Sequence, residues 1–180
     1  MKDLSCHHSA PRGFTLIEML VVLGIIGILM VVAYPSILNT MAVRNLENAT
    51  REIQTFLQQT KLQAVSTRIA HRVRFYQDAA SRWSYRVERI QENGTWVNAQ
   101  RGPVKTVSDR FNITLTLPLD TMTGDHVAVF SALGMFSQFA VSQNSITLQS
   151  PKLYRLRQDD QRVLSIFMGG SIEYAKKKSA

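Results

Sequence analysis

The chain is poor in the residues that build reactive sites. Its 180 residues include one cysteine, Cys6, so no disulfide can close within it, and four histidines, two of which, His7 and His8, stand next to that cysteine. His71 and His126 are the other two, and no cluster of His, Cys, Asp and Glu has the spacing of a zinc site. No pattern joins a nucleophile to a base. The sequence therefore reads as no enzyme, with no catalytic residue, no metal and no cofactor. The acidic doublet Asp159-Asp160 is better read as an exposed polar turn than as a cation site. Internal repeats and low-complexity linkers are lacking too. Acidic residues are few, 13 against 21 basic ones, which gives a formal charge of +8. The basic residues are scattered singly apart from Lys176-Lys177-Lys178, so a solvated surface is the first explanation and a polyanion partner the second.

One thing is present in excess. From Phe14 to Ala33 the sequence is apolar except for Thr15 and Glu18, whereas everything after Pro35 is a mixed, water-compatible sequence. As a helix, about twenty residues rise roughly 30 Å, the thickness of a bilayer's hydrocarbon core. Residues 14–34 are therefore expected to form a transmembrane helix. An ordinary secretory signal peptide fits less well. Its apolar region is usually about 7 to 15 residues long, Glu18 interrupts the run, and the expected cut precedes it.

The residues around that cut read Arg12-Gly13-Phe14-Thr15-Leu16-Ile17-Glu18. Gly13 has no side chain, so a protease can grip the backbone there in an extended form. Lys2 and Arg12 hold a leader, residues 1–13, on the cytoplasmic side. Two of the basic residues and one acidic residue, Asp3, lie in it, so the remainder carries +7. Glu18 is costly inside a span, by about 2.5 to 3.5 kcal/mol for the most polar side chains at a helix centre. Near the membrane edge that cost falls, and in the first helical turn a carboxylate suits the helix dipole. Cleavage before Phe14 also creates an α-amine with a pKa of about 7.7 to 8.0, which is substantially protonated at neutral pH and which Glu18 of a neighbouring copy can attract.

Residues 12–35 resemble the N-terminus of type IV prepilins and type II secretion pseudopilins. The resemblance implies that a membrane prepilin peptidase cleaves between Gly13 and Phe14 and that the amine of Phe14 is methylated. It implies that Glu18 acts in filament assembly, and that Gly24, Gly27 and Pro35 loosen the helix. The implied localisation is the bacterial inner membrane, single-pass, with the rest of the chain on the periplasmic side, and then a pilus or pseudopilus made with other pilin subunits.

Beyond the span, Leu38, Ala42, Leu46, Ala49, Ile53, Phe56 or Leu57, Thr60 and Ala64 recur at helical spacing, so residues 35–69 are expected to continue the helix with one apolar face. From residue 70 to 180 the period becomes two, as in Val73/Phe75, Trp83/Tyr85/Val87 and Ile113/Leu115/Leu117. Asn93-Gly94 and Gly169-Gly170 mark hairpins, and Gly102-Pro103 and Pro118 mark breaks. The expected fold is α+β and pilin-like, a long helix packed on an antiparallel β-rich domain.

Within the family, the absent C-terminal disulfide and the late Phe130–Gly134 and Gly169–Ile172 pattern most resemble H-type pseudopilins and related minor pilins. That implies a structural subunit of a type II secretion pseudopilus, serving protein transport. The alternative is a minor pilin of a type IV pilus, with DNA contacted by Arg72, Arg74, Arg82, Arg86, Lys176, Lys177 and Lys178. The tail departs from the Gly-Arg motif of the DNA-binding minor pilins, and nucleic acid is the less favoured partner.

Overall fold

Thr15 opens the first helix. Its hydroxyl accepts the Glu18 N–H at 3.2 Å, satisfying one of the donors that a helix start leaves orphaned. Helix α1 then runs from Leu16 to Thr67. The computed structural model describes residues 14–99 and 104–179; the leader and the Gly102-Pro103 break lie outside them. The chain is α+β, a long N-terminal helix followed by antiparallel sheets, an arrangement consistent with a pilin-like fold. It divides into two compact units, Met1–Thr40 and Met41–Ala180. The second half of α1 thus belongs to the same unit as the strands.

In that second unit the helical stripe becomes a buried seam. Leu46, Ile53, Phe56, Leu57, Thr60 and Ala64 are all buried, together with Thr50. Two threonines are tolerated in the seam because each hydroxyl donates to the carbonyl four residues back, Thr50 to Leu46 and Thr60 to Phe56, both at 2.8 Å. After α1 come β1 (His71–Gln77), β2 (Trp83–Ile90), β3 (Trp96–Asn98), β4 (Lys105–Thr106), β5 (Asn112–Thr116), β6 (His126–Phe130), β7 (Ser145–Gln149), the short helix α2 (Pro151–Arg155), β8 (Gln161–Ile166) and β9 (Ile172–Lys177).

The strands form two antiparallel sheets. One has the order β3-β2-β1-β6 with β4 also paired to β2; the other has the order β5-β7-β8-β9. Alternation sends Val73, Phe75, Tyr85, Val87, Ala128 and Phe130 of the first sheet, and Ile146, Leu148, Leu164 and Ile166 of the second, into one core with the helix stripe. Phe56 meets Tyr85 edge to face with centroids 4.9 Å apart. Asn93-Gly94 sits in the β2–β3 connection and Gly169-Gly170 in the β8–β9 connection, with Gly94 at φ +79° and Gly170 at φ +70°.

The two sheets are joined where two glycine turns meet. Phe136 N–H donates to the Met168 carbonyl at 3.0 Å, and Lys61 of α1 donates to the carbonyls of Gly169 and Gly170 at 3.4 and 3.0 Å. A Cβ on Gly170 would strike the Gly134 carbonyl oxygen, and one on Gly134 would lie 2.9 Å from Val65 Cγ2. The positive φ of both residues adds to the demand for glycine.

Gly170→Ala is expected to cost about 2 to 5 kcal/mol, a left-handed backbone term of roughly 1 to 2 plus an overpacking term of about 1 to 3. Gly94→Ala, where a Cβ meets open space, should cost only the backbone term, about 1 to 2 kcal/mol. Urea unfolding of the two variants, followed by tryptophan fluorescence, measures the difference. Equal losses would show that the contact between the two turns contributes nothing.

Candidate functional site

At the N-terminal end, Phe14 is 74% exposed, and every side chain described from Phe14 to Tyr34 is exposed. Glu18 lies in the first turn of α1 with its carboxylate free of any hydrogen bond or ion pair among the described residues, and Thr15 caps the helix beneath it. The spacing Thr15-x-x-Glu18 is the capping-box signature. The signal is local and legible in the sequence. Nothing lies within 4 Å of where a Cβ would stand on Gly24 or Gly27. Among the described residues no single helix is long and apolar enough to cross a membrane, whereas Leu16–Val31 and Ser36–Thr67, taken together as a bent pair, pass by length and composition. The break between them contains Pro35, which has no N–H to donate. Gly13 lies outside the described residues.

The arginines expected to offer a basic surface are placed differently. Arg72 and Arg74 alternate with the core residues of β1 and so lie on the outer face of its sheet, opposite Glu88 and Arg86 of β2. Arg72 is 4% exposed and Glu88 2%. Arg72 Nε donates to Glu88 Oε2 at 2.8 Å, Arg86 Nε to Glu88 Oε1 at 2.9 Å, and Arg74 Nη1 to Glu88 Oε1 at 3.4 Å. Asp120 accepts from Arg72 at 3.2 Å and Asp125 from Arg74 at 2.6 Å. The guanidinium of Arg72 lies 4.4 Å over the Trp96 ring, and those of Arg74 and Arg86 both stack on Tyr76. Three guanidinium groups thus converge on one carboxylate, with two more carboxylates at their edges. Arg82 stands apart, in the turn before β2, paired with Asp78 at 3.0 Å. Each of these four arginines is paired with a carboxylate, and Arg82 remains half-exposed.

The tail is also divided. Lys176 pairs with Glu47 of α1 at 3.0 Å, and Tyr174 donates to the same carboxylate at 3.3 Å, which ties β9 to the helix. The charge of Lys176, foremost as a hydrogen-bond donor, holds Glu47 below the usual carboxylate range. Lys177 and Lys178 are exposed and have no ion pair among the described residues. Asp160 corrects the expectation of an exposed acidic turn, being 1% exposed. It accepts from the Ser179 N–H at 2.8 Å, the Ser179 hydroxyl at 2.7 Å and the Gln149 amide at 2.7 Å. Burial pushes its pKa up, but these donors outweigh that and leave it lowered. Among the described residues no group of three His, Cys, Asp or Glu is placed to hold a metal ion.

Glu88→Gln keeps the shape of the network and removes the charge on which three arginines converge, so it should destabilise the fold by about 3 to 5 kcal/mol. The half-exposed Glu52–Lys105 pair provides the contrast, since Glu52→Gln should cost less than about 1 kcal/mol. Double-mutant denaturation series measure both. Asp160 and Asp120 are lowered in the folded state. Their contribution is complete above the ordinary carboxylate pKa of about 3.9 and is lost as pH falls through their folded values. Stability should therefore hold down to about pH 5 and fall below about 4. Asp160→Asn should lower the neutral plateau and flatten the acid limb, as read by urea midpoints against pH.

Comparison with known proteins bears on the N-terminal segment. No curated protein matches the chain, and no solved structure matches it. Residues 9–34 match the family described as the prokaryotic N-terminal methylation motif, and that match supports a structural subunit of the type IV pilin-like or pseudopilin kind, without separating the two.

Proposed function

We propose that the chain is a structural subunit cut between Gly13 and Phe14, methylated on Phe14, anchored by residues 14–34 as a transmembrane helix, and then assembled into a filament through Glu18. The observation that carries this reading is the apolar stretch from Phe14 to Tyr34, within the methylation-motif match, whose described side chains are all exposed. An apolar surface of that extent is far beyond the few hundred Å² that water-soluble monomers expose, and needs lipid or neighbouring helices to cover it. The core cluster of the globular unit contains none of the residues of that stretch.

The position of Glu18 fits both stages. In a bilayer it lies in the first turn, near the membrane edge, where the positive end of the helix dipole offsets its charge. In a filament its unengaged carboxylate is available for the methylated amine of the next subunit. In this reading the cut lies on the cytoplasmic face and the globular unit on the periplasmic side of the inner membrane; the basic residues Lys2 and Arg12 support that orientation.

We further propose a minor pseudopilin of type II secretion, of the H-type. The turns at Phe130–Gly134 and Gly169–Ile172 that suggested this subfamily are in contact in the fold. This contact gives a physical reason for both glycines. The pairing of Arg72, Arg74, Arg82 and Arg86 with carboxylates weighs against the DNA-binding minor pilin.

Expression with and without a prepilin peptidase, followed by mass spectrometry, should give a mature chain beginning at N-methylated Phe14 only when the peptidase is present. An uncut chain, or one cut elsewhere, refutes the reading. Glu18→Ala should leave cleavage and membrane insertion intact while reducing recovery in sheared filaments to background. Normal filament entry would make Glu18 a tolerated edge carboxylate.

A further inference from the structure

The end of the globular unit at which Lys176 of β9 meets Glu47 of α1 carries a cluster of cations around the short helix α2. Ser150 caps the short helix α2 and Pro151 begins it, while Leu153 is fully buried and pins this turn to the core. Its neighbours are thereby turned outward, with Tyr154 54% and Leu156 42% exposed. Arg155 and Arg157 alternate with them, and Arg157 takes a left-handed backbone at φ +53°.

The clamp on Asp160 holds Ser179 at the end of β9 beside this turn. As a result Lys178 lines a cleft of about 400 Å³ together with Tyr154, Arg155 and Arg157. Arg155, Arg157, Lys177 and Lys178 make no ion pair among the described residues. Asp160, the acid in the cleft wall, is already engaged by its internal donors, and Asp159 is the exposed acid beside it. The β9 strand places the cluster at this end, since Lys176 reaches Glu47 while the opposite end of the strand begins at the turn that Lys61 holds.

We infer that this face docks on a membrane surface containing anionic phospholipid. Interleaved cations, a tyrosine and an exposed leucine match the chemistry of the headgroup boundary. There the phosphates attract Lys and Arg, a tyrosine ring sits with its hydroxyl in water, and an aliphatic side chain enters the acyl edge. Nucleic acid would use the same charges but gives Leu156 no partner. The inference rests on the proposed anchoring of residues 14–34, which brings the unit to a lipid surface.

The test uses the full chain with Cys6→Ser and Leu156→Cys, labelled with an environment-sensitive fluorophore and reconstituted into vesicles of phosphatidylcholine with or without phosphatidylglycerol. Emission should shift to the blue only in the anionic vesicles, revert with added salt, and weaken when Arg155, Arg157 or Lys178 is changed to Gln, each lowering the docked-to-undocked ratio about fivefold. The same shift in both vesicles or in neither overturns the docking, and so does a response to duplex DNA without one to anionic vesicles. Resistance to alkaline extraction reports the membrane anchor separately. Extraction of the chain would refute residues 14–34 as a span, while the emission arm still decides the lipid contact.

Discussion

Both sheets depend on one stripe of one helix. Leu46, Ile53, Leu57, Thr60 and Ala64 recur every three or four residues, and the inward faces of the two sheets close over them from different sides. Residues of both sheets share one core cluster with this stripe, so the helix is a common wall of that core. The Phe136–Met168 backbone bond and the close approach of Gly134 and Gly170 link the turns that follow β6 and β8. Lys61 reaches that junction from the helix itself. The packing of α1 therefore fixes where each sheet lies, and the glycine turns fix how closely their ends approach.

The same helix carries a second pattern that no strand meets. From Leu16 to Tyr34 apolar residues occupy all sides, and their described side chains are exposed. An amphipathic face is satisfied by a folded partner on one side; an apolar circumference needs an apolar surrounding. One continuous element thus combines two requirements, a protein core along residues 41–67 and a non-aqueous medium along 16–34. In the proposed passage from bilayer to filament, the second requirement would be met twice, first by lipid and then by other copies of the same segment. The globular fold is unaffected by the exchange because its core contains none of those residues.

What could be read in the sequence was what repeats or turns locally. The stripe was legible from its period, the strands from their alternation, and the β2–β3 and β8–β9 connections from Asn93-Gly94 and Gly169-Gly170. The arginine network was not legible. Arg72 meets Glu88 across a strand pair and Asp120 from a loop 48 positions away, and a sequence pattern reports side, not partner. The alternation of β1 puts Arg72 and Arg74 on one face, but that face is populated by carboxylates rather than left to solvent. Asp160 is another such case, because its partners Gln149 and Ser179 are brought to it only by sheet pairing. Thr15 shows the opposite case, a local capping signal that needed no tertiary information.

The network also determines where the protein's positive charge is expressed. Arg72, Arg74 and Arg86 are matched by Glu88, Asp120 and Asp125, so this cluster adds no net charge and little outward field despite its three guanidinium groups. Arg82, Lys105 and Lys176 are likewise each held by one carboxylate. An excess of basic over acidic residues must then reside among cations without such partners, of which Arg155, Arg157, Lys177 and Lys178 are concentrated at one end of the unit. Screening limits a surface field to about a Debye length, roughly 8 to 10 Å. What matters for a partner is therefore the local grouping of unpaired charge, and the pairing inside the first sheet is what leaves that grouping at the edge of the second.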